Sequence, residues 1–291
     1  GGVATNGDGH VENLLWGPDG RWLAYTLVQP QPRAGGPARR AGIWRIGVDG
    51  VGERRLLDAG VETVLPILAR PLPKGSRLLF WSDPGYSASL LADGVPLSML
   101  PSQGGRARRL SSKMLAYGSF LSIAPDGERL VVTEGEGRET WSRKRLVLVD
   151  LESGKRTPLT DPTVAALFPA WAPDGVRLAY AAGPNVGAAD GTIAASALAG
   201  RRLWLLRPGQ QGAPIQLTRD PAYRDEYPRW LADGSTLLFP RVDRQGKAAL
   251  WLLRADGNPR QLTEIGPAAP VGSGFYGYVE WGEYYAVSQP K

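Results

Sequence analysis

An all-β fold built as a β-propeller is predicted by three features of this sequence. A turn phrase recurs through most of the chain, apolar and polar residues alternate on both sides of each recurrence, and turn residues are abundant (38 Gly and 25 Pro in 291 residues). Alternation of period two marks strands, and Asp-Gly turns join them. A repeat of roughly 50 residues holding four short strands is the pattern of a propeller blade.

The phrase runs WGPDG (16–20), PLPKG (71–75), IAPDG (123–127), WAPDG (171–175) and WLADG (230–234), with its glycines 55, 52, 48 and 59 residues apart. The residues just before the turn, with the anchor Trp, form the first strand of each unit. The second strands are RWLAYTL, SRLLFWS, ERLVVTE, VRLAYAA and STLLFPR. The third are IWRIGV, PLSML, RLVLVD, RLWLLR and ALWLLR, and the fourth are ERRLLD, RARRLS, KRTPLT, PIQLTRD and PRQLTE. Pro presets φ for the turn and Gly accepts φ > 0, so the phrase is architectural, with each Trp expected between neighbouring blades. A sixth, shortened copy is YVEWGEYYAVSQ (278–289). The segment GVATNG (2–7) aligns with the last strand of other copies and is expected to pair there and close the ring. The expectation is a single six-bladed domain over 1–291, with four-stranded antiparallel blades near 11–58, 62–112, 118–161, 166–220 and 225–264, and a sixth from 275–289 plus 2–7.

The stretches WAPDGVRLAY…RRLWLLRPGQQGAPIQLT and YPRWLADGSTLLF…ALWLLRADGNPRQLT resemble the WD40-like repeats of the TolB-type propeller family. The likeness extends from about residue 11 to 289 and is strongest in the fourth and fifth copies. Similar repeats form the N-terminal propellers of dipeptidyl-peptidase-type enzymes. The resemblance therefore implies a scaffold, not an activity. It also implies a periplasmic or cell-surface location and contacts with envelope proteins.

Successive connections in a four-stranded meander alternate between two ends. Tight turns share one end. The other receives the long insertions at 29–42, 82–94, 134–144 and 183–202, with the inter-blade loops 219–228 and 264–278. Long loops on a rigid scaffold are where binding resides. Arg33, Arg39, Arg40, Tyr86, Arg138, Trp141, Arg143, Tyr223, Arg224, Tyr276 and Tyr278 are the expected exposed candidates on this face, because Arg and aromatic residues are favoured at interfaces.

Composition excludes several chemistries. Without cysteine there are no disulfides, thiolate metal sites or Cys nucleophile. The only histidine is His10, so neither a Ser-His-Asp triad nor the several metal-binding histidines of pectate-cleaving relatives can be assembled. No GxSxG elbow or phosphate loop occurs. Asp220, Asp225 and Glu226 lie close together in DPAYRDEYP, but their spacing fits no hand-type calcium loop. Paired acids from different blades at a central mouth, as in a glycosidase, are not visible in a sequence. The net charge of +6 is scattered, which argues against nucleic-acid binding. Arg outnumbers Lys by 28 to 6, which codon usage explains. No apolar run is long enough for a membrane helix. The chain opens GGVATNG without an initiator Met, so any targeting or membrane-anchoring segment is expected outside it. The expectation is a non-catalytic, extracytoplasmic propeller that binds a protein or peptide without catalytic, cofactor or metal residues of its own. The alternative is the substrate-gating propeller of a peptidase whose hydrolase domain lies outside this chain.

Overall fold

Pro-Asp-Gly turns and alternating strands give the sheets that their pattern predicts. The computed structural model describes residues 9–28, 41–58, 65–83, 94–187, 191–254, 257–267 and 275–287, which group into two compact units, Gly1–Gly118 and Ser119–Lys291. The expected closing strand at 2–7 lies outside the described residues, as do Arg33, Arg39, Arg40 and Tyr86.

The first unit holds two antiparallel four-stranded meanders. Sheet I is β1 (His10–Trp16), β2 (Trp22–Val28), β3 (Ala41–Gly47) and β4 (Arg54–Asp58). Sheet II is β5 (Leu65–Pro71), β6 (Arg77–Asp83), β7 (Val95–Pro101) and β8 (Arg108–Met114). Trp22, Ala24, Ile43 and Leu56 of sheet I pack on Leu68, Leu78, Phe80 and Leu100 of sheet II. The expectation that every anchor Trp is buried fails at Trp16, which is 59% exposed. It stands on β1, most of whose residues are exposed and which pairs only with β2 among the described strands.

The second unit holds three sheets. Sheet III is β9 (Leu121–Ile123), β10 (Arg129–Glu134), β11 (Arg145–Asp150) and β12 (Arg156–Pro158). Sheet IV is β13 (Val164–Trp171), β14 (Leu178–Pro184), β15 (Arg202–Leu206) and β16 (Ile215–Gln216). Sheet V has an interrupted first strand, β17 (Tyr223–Asp225) and β18 (Arg229–Trp230), followed by β19 (Leu237–Asp243), β20 (Lys247–Leu253) and β21 (Pro259–Pro267). One helix, α1 (Gly191–Ala199), lies between β14 and β15. The sixth copy forms no strand among its described residues. It makes 3-10 turns at Phe275–Gly277 and Trp281–Glu283.

Three local rules repeat. Each turn Asp accepts the backbone N–H two residues on: Asp19 from Arg21, Asp126 from Glu128, Asp174 from Val176 and Asp233 from Ser235, at 2.8–3.0 Å. The Leu-Thr signature ends the fourth strand because Thr160 and Thr218 Oγ1 accept the N–H of Leu146 and Leu203, extending the ladder by a side-chain rung.

The third rule joins sheets. Arg129 Nε donates to Asp126 Oδ2 (2.8 Å), its Nη2 to the Gly175 carbonyl of the next turn (2.8 Å), and its guanidinium lies 4.7 Å from the Trp171 ring. One sheet later, Arg177 binds Asp174 and the Gly234 carbonyl and lies 4.8 Å from the Trp230 ring. The motif Asp-x-x-Arg is thus a clamp across the seam, with a cation–π contact at its centre.

Candidate functional site at the loop-rich end of the second unit

Phe120, Phe168 and Tyr227 each stand three residues before their copy's anchor position, and Tyr278 stands three before Trp281. The first strand breaks its pairing there, between Leu167 and Ala170 in β13 and between β17 and β18. Phe168 and Tyr227 adopt φ of 55° and 44°, a region that side chains other than Gly rarely enter. This turns their rings inward. Phe120 meets Phe168 and Tyr278 edge-on at 5.6 Å, Phe168 meets Tyr227 at 5.7 Å, and Phe168 stacks with Tyr278 at 6.1 Å. The C-terminal segment is thus held by the same residue position that links the sheets.

Beside these rings lies a buried polar network. Arg201, just after α1, is 1% exposed, and Glu226, just after β17, is fully buried. Arg201 Nη1 donates to Glu226 Oε1 (2.5 Å) and to the Gly277 carbonyl (2.9 Å), and Nη2 donates to Thr140 Oγ1 (2.6 Å). Thr140 donates both its hydroxyl and its backbone N–H to the Tyr276 carbonyl, each at 3.0 Å. Trp281 Nε1 donates to Glu226 Oε2 (2.8 Å), and Arg224 Nε lies 3.6 Å from Glu226 Oε1. Burial alone would raise the Glu226 carboxyl. The charges of Arg224 and Arg201 and the hydrogen bonds from Trp281 and Arg201 outweigh it and hold the group below the usual carboxylate range. Burial lowers the Arg201 guanidinium, and Glu226 opposes that shift. Next to them, Asp225 receives both arms of Arg241 (2.6 and 3.0 Å), whose guanidinium is flanked by Tyr223 and Trp251 at 4.9 and 4.8 Å.

The loop between β10 and β11 is folded around Lys144. Its Nζ donates to the carbonyls of Glu136, Gly137 and Ser142 at 2.9–3.2 Å. Burial pushes this ammonium down to about 8. Gly135, at φ 141°, passes so close to the Arg143 carbonyl that a Cβ would sit 1.9 Å from it.

Of the candidates read from the sequence, four gather at the rim. The Arg138 guanidinium lies 5.2 Å over the Tyr276 ring, and Tyr276 is 37% exposed. Trp141 packs where a Cβ on Gly277 would meet its ring at 3.0 Å. Exposed Arg143 faces Glu136 at 3.6 Å. Arg224 and Tyr278 do not present themselves as expected, each being only 7% exposed. Arg224 is turned in by Glu226, and Tyr278 by its ring partners and by Ser119 Oγ at 2.8 Å from its hydroxyl. Tyr223 is half-buried against Arg241. Asp225 and Glu226, weighed as calcium ligands, are instead spent on Arg241 and Arg201. His10 is exposed on β1, 3.1 Å from Glu12. Thr140, Arg201 and Trp281 were missed as site residues by the sequence reading, and Glu226 was weighed there only as a metal ligand. The aromatic-x-x-Trp spacing shared by FPAW, YPRW and YVEW is a signal in the sequence that could have marked their neighbourhood.

Sheets of this kind are shared with solved proteins of low sequence identity. No protein-family model matches the sequence, and no curated protein matches it. A protein described as TolB from Agrobacterium tumefaciens is similar over 91% of this chain and 84% of its own, at 18% identity and a TM-score of 0.54. A puromycin-hydrolyzing peptidase from Mycobacterium tuberculosis is similar at 17% identity and a TM-score of 0.58, with 91% of this chain covering only 39% of the peptidase. An oligogalacturonate lyase in complex with manganese gives 14% identity and a TM-score of 0.57, over 90% of this chain and 67% of the lyase. The repeated four-stranded antiparallel sheets and these likenesses together show that the chain has a TolB-like β-propeller fold.

Proposed function

We propose that this chain is a non-catalytic, extracytoplasmic propeller module that binds a protein or peptide at its loop-rich end. The observation that carries the proposal is the division of labour at that end. Arg201, Glu226, Thr140 and Lys144 are consumed in fixing the loops, while Arg138, Arg143 and Tyr276 remain on the rim. A pre-ordered rim of Arg and aromatic side chains suits acidic or carbonyl-rich segments, because little ordering entropy remains to be lost on binding. The likeness to TolB supports the protein-binding class and the extracytoplasmic location. Selecting peptides from a displayed library on the whole chain tests the proposal. Selected peptides should be rich in Asp and Glu and should lose roughly ten-fold or more in affinity when Arg138 and Arg143 are both changed to Glu. Peptides insensitive to that pair and sensitive to changes at the tight turns would refute it.

The second reading, a substrate-gating propeller of a peptidase, is favoured by one observation: the chain covers 39% of the length of a similar peptidase. A hydrolase domain encoded beside this chain would select it.

The finer architecture belongs to the same proposal. Six blades are supported by the sixth aromatic-x-x-Trp at 278–281, which docks on Glu226 and the aromatic cluster, with residues 2–7 completing that blade.

A further inference from the structure

The first unit repeats the seam of the second with one part exchanged. Trp22 occupies the position, three residues after the turn Asp, that Arg129 and Arg177 occupy in sheets III and IV. Its indole is 3% exposed and lies so near Gly17 that a Cβ there would be 2.3 Å from the ring. Arg45 lies 4.5 Å from the centre of that ring and donates to the Ser102 carbonyl (3.0 Å) rather than to the neighbouring turn. The two groups that grip a guanidinium elsewhere are a turn carboxylate and the carbonyl of the following turn Gly. Here they are Asp19 and Gly75. Asp19 accepts the backbone N–H of Arg21 through Oδ1, and no side-chain donor reaches Asp19 Oδ2 or Gly75 O among the described residues. Both line a pocket of about 450 Å³ at the tight-turn end, together with Ser76 and Gln103.

We infer that this pocket receives the guanidinium of an arginine on a partner segment. The warrant is internal precedent. The same carboxylate-plus-carbonyl pair holds Arg129 and Arg177 at hydrogen-bond distance, and the pocket has room for a guanidinium, which neither turn carries. Arg45 and Lys74 share the lining and oppose a further positive charge. A planar, weakly hydrated guanidinium bound through a fork tolerates this better than the point charge of an ammonium. An incoming carboxylate would gain from those two cations but would meet Asp19. The site belongs to the tight turns of the first unit and shares no residue with the loops proposed above, so the two assignments fail independently.

The test uses the full chain and three blocked tripeptides, acetyl-Gly-Arg-Gly-amide and its Lys and Glu counterparts, with backbone amide NMR shifts of Gly20, Gly75 and Ser76 as the readout. The Arg peptide should saturate these signals in the millimolar range, and the Lys peptide should bind roughly ten-fold more weakly. Asp19→Asn keeps the turn, because its Oδ1 still accepts from Arg21 and Asn-Gly suits the same geometry, and it should abolish the Arg response. A melting curve confirms that the variant is folded. The inference is overturned if no peptide saturates these signals, or if the Glu peptide binds best and Asp19→Asn tightens it.

Discussion

Glu226 is the residue on which the second unit's loops converge, and its charge state can be followed by pH. Its folded-state pKa lies below the unfolded value of 4.5, so its stabilisation is present above that pH and is lost as the pH falls through the folded value. Glu226→Gln leaves Arg201 and Arg224 without a counter-charge, and breaking a buried pair in this way costs about 3–5 kcal/mol. Thermal melting at neutral pH should show that loss, and the gap to the parent protein should close in acid. Lys144 has the opposite sign. Its folded-state pKa is down at about 8 against 10.5 in the unfolded chain, so folding disfavours the charged form below pH 8 and the penalty lifts as the pH rises from 8 towards 10.5. The parent should gain stability across that interval, and Lys144→Met should show a flat profile. The part that either residue plays was not legible in the sequence. Arg201 and Glu226 are 25 residues apart, Thr140 is 61 from Arg201, and only the stacking of successive sheets brings them within bonding distance.

At the level of the strand and turn, the sequence was far more informative. Period-two alternation and the Asp-Gly turns gave the strands of sheets I to V, because each pattern follows from local backbone geometry. It was misleading in two places. Trp16 and Trp171 occupy the same position of the repeat, yet one is 59% exposed and the other 8%. Burial depends on the sheet next door, which a local motif does not contain. Trp171→Ala should therefore cost roughly 3–5 kcal/mol, and Trp16→Ala should shift the melting curve far less. The role of the turn arginines was the second thing that the motif did not show. Arg129 clamps two sheets, and Arg129→Ala removes two hydrogen bonds and a cation–π contact worth together about 1–3 kcal/mol. Arg suits these two positions better than Lys, since a planar guanidinium bonds a carboxylate and a carbonyl through its edge while its face lies on the ring.

Across the whole molecule, the fold class was legible and the working surface only partly so. The meander rule placed the long insertions at one end, and the structure gathers Arg138, Trp141, Arg143 and Tyr276 there. It withdrew Arg224 and Tyr278, whose type and loop position gave no hint of the acid and the rings that bury them. Deleting residues 1–7 tests the closure of the sixth blade: a melting temperature lowered by several degrees is expected, and an unchanged curve would mean that the segment contributes no strand.

The Asp-x-x-Arg clamp has a consequence for how such a chain can change over time. Its receiving parts, a turn carbonyl and an indole, are the same at both seams of the second unit. A contact made of identical parts supplies adhesion without address: it would accept a duplicated or transplanted sheet as readily as the native neighbour. Identity must then come from what differs between seams, such as the Trp281–Glu226 bond that only the last segment makes. Exchanging the turns of sheets III and IV should be tolerated, whereas moving Glu226 to another sheet should not.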